Sequence, residues 1–422
     1  MLGRVMAGTL RRGVGGLPES FEVLRQREFR LLFSGQAASL FGDGMVNVAL
    51  AFAVIELGGG ASAIGLVFAC RSLPLVGCLL VGGVIADRAS RRAVMVSADC
   101  VRLVSQGTLA VLLIAGGAEI WTVALLAGVE GAATGFFNPA STGLLPAVVT
   151  PERLHQANGL RAVAMAVGQI LGPVVAGALV ALASPGWALG IDAVTFAISA
   201  AFLSRLRLPA RVARQATTFL ADLRDGWAAF RSRTWVWSFV GCAALGNVLL
   251  GAWTVLGPVV AERELGGAAA WGAVLAATGA GGLAGGVLAM RRTPRRPMAA
   301  VALTGCLFSA PLALLAAGAP VVPLAVGALV SGASVMFGNT VWESTLQRHI
   351  PAASLSRVSA YDWFGSLAFS PIGLAIWGPV AAVLGVDLSL WLAFALGVAI
   401  HLGLLAVPEI RRLPVSPPAP TG

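Results

Sequence analysis

Three ionisable residues stand near the middle of long apolar stretches: Asp43, Arg71 and Glu130. A charge at that depth of a membrane is costly unless it is paired, hydrated or neutralised. A carboxylate beside a guanidinium has two stable conditions: the ion pair, and the protonated acid with the arginine released. Burial raises a carboxyl pKa and a neighbouring cation lowers it, so a movement that alters either one couples proton binding to conformation. The chemistry on offer is reversible proton uptake at Asp43 or Glu130, alternating with an ion pair to Arg71. A permanent pair that only stabilises the fold is the other reading. Asn47 lies one turn beyond Asp43 on the same helical face. Asp99 and Arg102, three residues apart, form a second charge pair nearer the end of their stretch. Asp192 reads as a cap or gate contact near the end of another.

Other chemistries find little support. His155, His349 and His401 are far apart in sequence, with no carboxylate or cysteine cluster beside them. The five cysteines, Cys70, Cys78, Cys100, Cys242 and Cys306, lie in apolar stretches with no CxxC spacing and read as small hydrophobes. No catalytic set, metal site or cofactor is expected. All 29 basic residues are arginine. A phosphate-binding Walker loop and a pyridoxal Schiff base both need a lysine, so neither is expected.

These residues must be positioned by membrane helices. The 422 residues are 57% hydrophobic and 11% charged, far from the quarter charged of a soluble domain. Twelve apolar stretches of spanning length are predicted at 31–57, 62–86, 93–116, 120–146, 161–183, 187–206, 235–261, 268–290, 297–318, 321–345, 357–384 and 388–408. Trp121, Trp187, Trp235, Trp237, Trp271 and Trp391 sit near their ends, as an interfacial aromatic belt would. Arginines fill the N-terminal arm, the even-numbered gaps and the tail, whereas the odd-numbered gaps hold only Arg263. The positive-inside rule then places both termini in the cytoplasm; the all-arginine composition suits a GC-rich bacterial genome, and a bacterial inner membrane is the expected location. The net charge of +10 reflects topology and anionic lipid contact rather than nucleic acid.

The expected organisation is a cytoplasmic arm (1–30), a six-helix bundle (31–206), a linker (207–234), a second six-helix bundle (235–408) and a disordered tail (409–422). In the linker, Phe219, Leu223, Trp227 and Phe230 recur at the spacing of an amphipathic surface helix. The two halves look like repeats: Phe137-Asn138-Pro139, Pro151 and Gly172-Pro173 are echoed by Phe337-Gly338-Asn339, Pro351 and Pro371-Ile372-Gly373. Paired bundles of this kind hold their site between them, near the midplane.

The loop after the second stretch reads Gly83-Val84-Ile85-Ala86-Asp87-Arg88-Ala89-Ser90-Arg91-Arg92. It resembles the GxxxDRxxRR loop of the major facilitator superfamily. Asp87 would accept charge-assisted hydrogen bonds across the half-to-half interface and act as a gate latch, with Arg88, Arg91 and Arg92 beside it. The matching second-half loop, Arg291-Arg292-Thr293-Pro294-Arg295-Arg296, lacks the aspartate. Gly168, Gly172, Pro173 and Gly177 in the fifth stretch resemble the GxxxGPxxGG motif of proton-coupled exporters; generic close packing of helices is the other reading. Ser39-Leu40-Phe41-Gly42-Asp43, Arg71-Ser72-Leu73-Pro74, Ala98-Asp99-Cys100-Val101-Arg102 and Gly135-Phe136-Phe137-Asn138-Pro139-Ala140 resemble the macrolide-efflux and enterobactin-exporter branch. The fourth stretch departs from other drug–proton antiporters, having Glu130 in place of an RxxxG arginine.

The resemblance implies an all-α membrane protein with two pseudo-symmetric six-helix bundles. It implies a monomeric, proton-coupled exporter of small amphipathic molecules such as drugs, macrolide-like compounds or siderophores, surrounded by membrane lipid. Asn47, Asn138, Gln169 and Asn247 are the candidate cavity residues. A lipid or lysophospholipid flippase and a non-transporting sensor or scaffold are the competing readings.

Overall fold

The computed structural model describes residues 19–207, 227–228, 230–292 and 294–415. Among the described residues, twelve spans are long and apolar enough to cross a bilayer. In lipid every backbone amide must be satisfied internally, which leaves the helix as the open choice for segments of this length. The first bundle comprises α1 (Arg27–Glu56), α2 (Ala61–Arg88), α3 (Arg91–Ile114), α4 (Ile120–Val148), α5 (Leu154–Leu182) and α6 (Pro185–Ser204). The second comprises α7 (Thr234–Val260), α8 (Ala268–Arg291), α9 (Pro297–Ala316), α10 (Val321–His349), α11 and α12 (Val386–Leu404). Two spans are interrupted. In α9 a 3-10 turn, Cys306–Ser309, precedes Pro311, and α11 consists of Ala352–Leu367 and Ser370–Leu384, broken just before Pro371. A proline lacks the amide hydrogen and crowds the preceding turn, so the helix gives way there.

Two pairs of helices carry most of the packing between bundles, α5 with α8 and α2 with α11. Small residues allow this. A Cβ at Gly272 of α8 would strike the Pro173 carbonyl of α5, and one at Gly378 of α11 would strike the Ser62 backbone of α2. One buried cluster runs through both bundles on the side away from the termini, including Phe52, Ile64, Val255, Trp271 and Trp377. On the terminus-bearing side the described core divides. One cluster, around Phe29, Met95 and Leu144, belongs to the first bundle, and another, around Trp235, Met298 and Trp342, belongs to the second. The bundles are therefore sealed together on one face.

The expected disordered tail is corrected at its start. Residues Pro408–Arg412 form a short helix, α13, with Ile410 fully buried. Glu409 accepts a 3.0 Å hydrogen bond from the Trp235 backbone amide, capping the otherwise unsatisfied first turn of α7. Most of the expected surface helix, with Phe219 and Leu223, lies outside the described residues. Trp227 and Phe230 are described; they stack on each other and meet the Tyr361 ring at a tilt, with ring centroids 5.5–5.8 Å apart.

Candidate functional site: a buried charge network beside a central cavity

Glycines on α4 bring two candidate residues together. Gly128 and Gly131 let the α4 backbone rest on the Cys70 and Arg71 carbonyls of α2. At that contact Arg71 Nε donates to Glu130 Oε2 at 2.6 Å. The other Glu130 oxygen accepts from Thr134 Oγ1 at 2.7 Å and lies 3.5 Å from Arg102 Nε. Glu130 is fully buried, so both oxygens are satisfied within the protein.

Asp43 pairs with Arg102, not with Arg71. Arg102 Nη2 lies 2.5 Å from Asp43 Oδ1, while Nη1 is 3.4 Å from both Asp99 Oδ1 and Ser39 Oγ. The guanidinium is 1% exposed and sits 3.8 Å over the Phe196 ring, with Phe137 at 5.3 Å. Such aromatic faces attract a cation. The expected local Asp99–Arg102 pair is present, and Arg102 reaches further than expected: it is the hub that joins α1, α3 and α4. The reading of Asp192 as a cap or gate contact is corrected. It is fully buried on α6, where its Oδ2 accepts from Gln106 Nε2 at 3.2 Å. The chain signal for these partners was the spacing of Asp99, Arg102 and Gln106, which puts all three on one face of α3.

A cavity of about 690 Å³ lies between the bundles. Asp43, Asn47 and Gln169 line it, together with Trp253 and Trp271. Among the described residues of its wall, Asp43 is the one that is ionisable. Asn247 lines a second cavity, of about 350 Å³, within the second bundle. Asn138 lines neither; it faces outward on α4.

The glycine motif of α5 has two working sides. Gly168 and Gly172 meet the α1 backbone at Leu40 and Gly44, whereas Pro173 and Gly177 meet α8 at Gly272 and Ala268. One turn of α5 therefore joins the Asp43 helix to the opposite bundle.

Comparison with known proteins decides the family. The profile described as Major Facilitator Superfamily matches residues 32–373. The chain belongs to this superfamily. Macrolide efflux protein A of Streptococcus pyogenes is 23% identical over 396 residues, covering 92% of this chain and 97% of that protein. Multidrug efflux pump Tap of Mycolicibacterium fortuitum is 27% identical over 414 residues, covering 91% of this chain and 96% of that protein. Among solved structures, the peptide transporter POT in complex with sulfate superposes with a TM-score of 0.74 at 12% identity, covering 95% of this chain and 100% of that one. The nucleoside transporter NupG superposes with a TM-score of 0.70 at 14% identity, covering 90% and 98%. These likenesses to solved structures establish the fold, and membership of the superfamily makes the chain a multi-pass membrane transporter.

The superfamily's loop motif sits where α2 turns into α3. Ser90 caps α3, accepting from the Ala93 amide at 3.4 Å. Arg91 donates to the Gly143 carbonyl of α4, and Arg92 donates to the Leu206 carbonyl at 2.9 Å and to the Ser204 carbonyl at the end of α6. Both arginines thus satisfy carbonyls near helix C-termini, where cations are favoured, and these bonds stay inside the first bundle. Gly83 lies on the last turns of α2, and the side chains of Asp87 and Arg88 lie outside the described residues.

Proposed function

We propose that this transporter is a proton-coupled exporter of small amphipathic molecules across the bacterial cytoplasmic membrane, working by alternating access of its two bundles. The arginine-rich, terminus-bearing face is the cytoplasmic one by the positive-inside rule. The core divides on that face and is continuous on the other, which supports a cytoplasm-facing, substrate-loading state. A largely apolar cavity with a few polar groups suits amphipathic cargo, and the efflux relatives support the direction.

One observation carries the coupling: Asp43 is both a wall of the central cavity and the partner of Arg102. Four carboxyl groups, Asp43, Asp99, Glu130 and Asp192, surround two guanidiniums, Arg71 and Arg102. An apolar bundle disfavours surplus charge, and protons are the means of removing it. Asp43 exchanges a proton with the cavity, and its protonation frees Arg102 to turn toward Glu130 and Asp99. Glu130, bonded on both oxygens, acts as the fixed counter-ion for Arg71. The loop of Gly83, Asp87, Arg88, Arg91 and Arg92 is the gate that locks the cytoplasmic side when the bundles rock.

Proteoliposomes with an imposed pH gradient test this. Wild-type protein accumulates a fluorescent amphipathic drug against its gradient, and Asp43→Asn retains downhill exchange but loses uphill accumulation. Unchanged uphill transport by both Asp43→Asn and Glu130→Gln rules the coupling scheme out.

A further inference from the structure

Four polar residues remote in sequence meet in the second bundle. Asn247 of α7, Glu343 of α10, Asp362 of α11 and His401 of α12 all line the 350 Å³ cavity. Its walls carry aromatic rings from four helices: Phe239, Phe308, Trp342 and Trp363. Phe239 and Trp342 stack at 3.9 Å, and Trp342 Nε1 donates to Asp362 Oδ2 at 2.9 Å. The cavity shares Leu250, Phe308, Val335 and Asn339 with the central cavity, so the two are adjoining compartments.

The charge of this compartment is one-sided. Two carboxyl groups line it and, among the described residues, no arginine does. Among the described residues, neither Glu343 nor Asp362 has an ion-pair partner within 4.0 Å. The contrast with the first bundle is plain, since Arg71 and Arg102 answer the acids there. Glu343 is exposed and Asp362 half-buried in this wall, and carboxylates beside ring faces with no guanidinium to answer them favour an incoming cation, which supplies the counter-charge while the rings attract it. An anion meets the opposite field, and a neutral molecule gains nothing from the acids.

We propose that this cavity is a binding subsite for the positively charged end of a lipophilic organic cation, with Glu343 and Asp362 as its counter-ions and Phe239, Trp342 and Trp363 as its aromatic walls. The apolar remainder of the ligand extends past Leu250 and Phe308 into the central cavity. This deepens the transport reading by naming the charge class of the cargo, and it rests on that reading only for the claim that the ligand is moved.

Binding is tested apart from transport. Purified full-length protein in detergent is titrated with tetraphenylphosphonium, with tetraphenylborate as the anion of like shape, by isothermal calorimetry. The expected result is saturable phosphonium binding at least tenfold tighter than borate binding. Glu343→Gln with Asp362→Asn weakens phosphonium binding at least tenfold, and the charge-keeping Glu343→Asp with Asp362→Glu retains most of it. A melting curve for each variant checks folding, and where the neutral pair unfolds, the single Glu343→Gln variant is read instead with an expected loss of at least threefold. Equal affinity for the two ions, or unchanged phosphonium affinity in the folded neutral variants, overturns the subsite. Phosphonium bound as expected but not moved by proteoliposomes keeps the subsite and removes the transport reading. Uphill transport of a neutral drug without phosphonium binding keeps transport and removes the subsite.

Discussion

At the residue scale, Glu130 and Asp43 have the same chemistry and different settings. Glu130 is enclosed, with Arg71, Arg102 and Thr134 around its two oxygens. Asp43 has one close cation and a side chain that is 32% exposed, toward the cavity. Removing one partner of a buried ion pair strands the other charge, at a cost of about 3–5 kcal/mol. Glu130→Gln is therefore expected to lower the melting midpoint of the detergent-solubilised protein well below that of Asp43→Asn, which leaves Arg102 beside Asp99 and Glu130. Equal midpoints for the two variants would show that Glu130 does not hold Arg71 in place. Arg102 has a role that lysine does not fill, since a single ammonium cannot span Asp43, Asp99 and Glu130 together.

At the element scale, the helices meet where side chains are missing. The α5 motif packs against α1 on one side and α8 on the other, and Gly272 is the point where α8 touches the Pro173 carbonyl. Gly272→Val forces these backbones apart and is expected to abolish drug efflux at normal or reduced protein levels. Gly241, on an exposed part of α7, has nothing within 4 Å of a Cβ position. Gly241→Ala is expected to keep full efflux and to raise the melting midpoint slightly, because alanine favours a helix over glycine by up to about 1 kcal/mol. A growth-inhibition assay in a drug-sensitive strain, with protein levels measured by immunoblot, compares the two. Normal efflux by Gly272→Val would mean that the α5–α8 contact is not needed for the cycle.

At the scale of the whole molecule, the bundles are sealed on the face away from the termini and form separate cores on the other. Ser62 and Gly378 touch across that seal. In a background without the native cysteines, Ser62→Cys with Gly378→Cys is expected to form an oxidant-dependent crosslink that stops transport, with recovery on reduction. While crosslinked, a cysteine placed at Asn339, in the shared wall of the two cavities, is expected to react with a membrane-impermeant thiol reagent from the arginine-rich side only. Reaction from the other side, or transport that continues through the crosslink, would contradict a cycle of rocking bundles.

Much of this architecture was legible in the chain. Twelve spans follow from hydropathy, because a helix in lipid must be apolar over a fixed length and satisfy its own backbone. The family was legible from a short loop, Gly83 to Arg92, whose pattern is carried by adjacent residues. Helical spacing also put Asp99, Arg102 and Gln106 on one face of α3. Spacing names a face but not the helix that will meet it, and that is where sequence stops. Arg102 met Asp43 of α1 and Glu130 of α4 because α3 packs against α4 and α6, which sets its long side chain within reach of both acids. In the same way, Asn247, Glu343, Asp362 and His401 stand on four helices, far apart in the chain. Only the packing of the second bundle gathered them around one cavity, and only there does their charge lack an arginine to answer it.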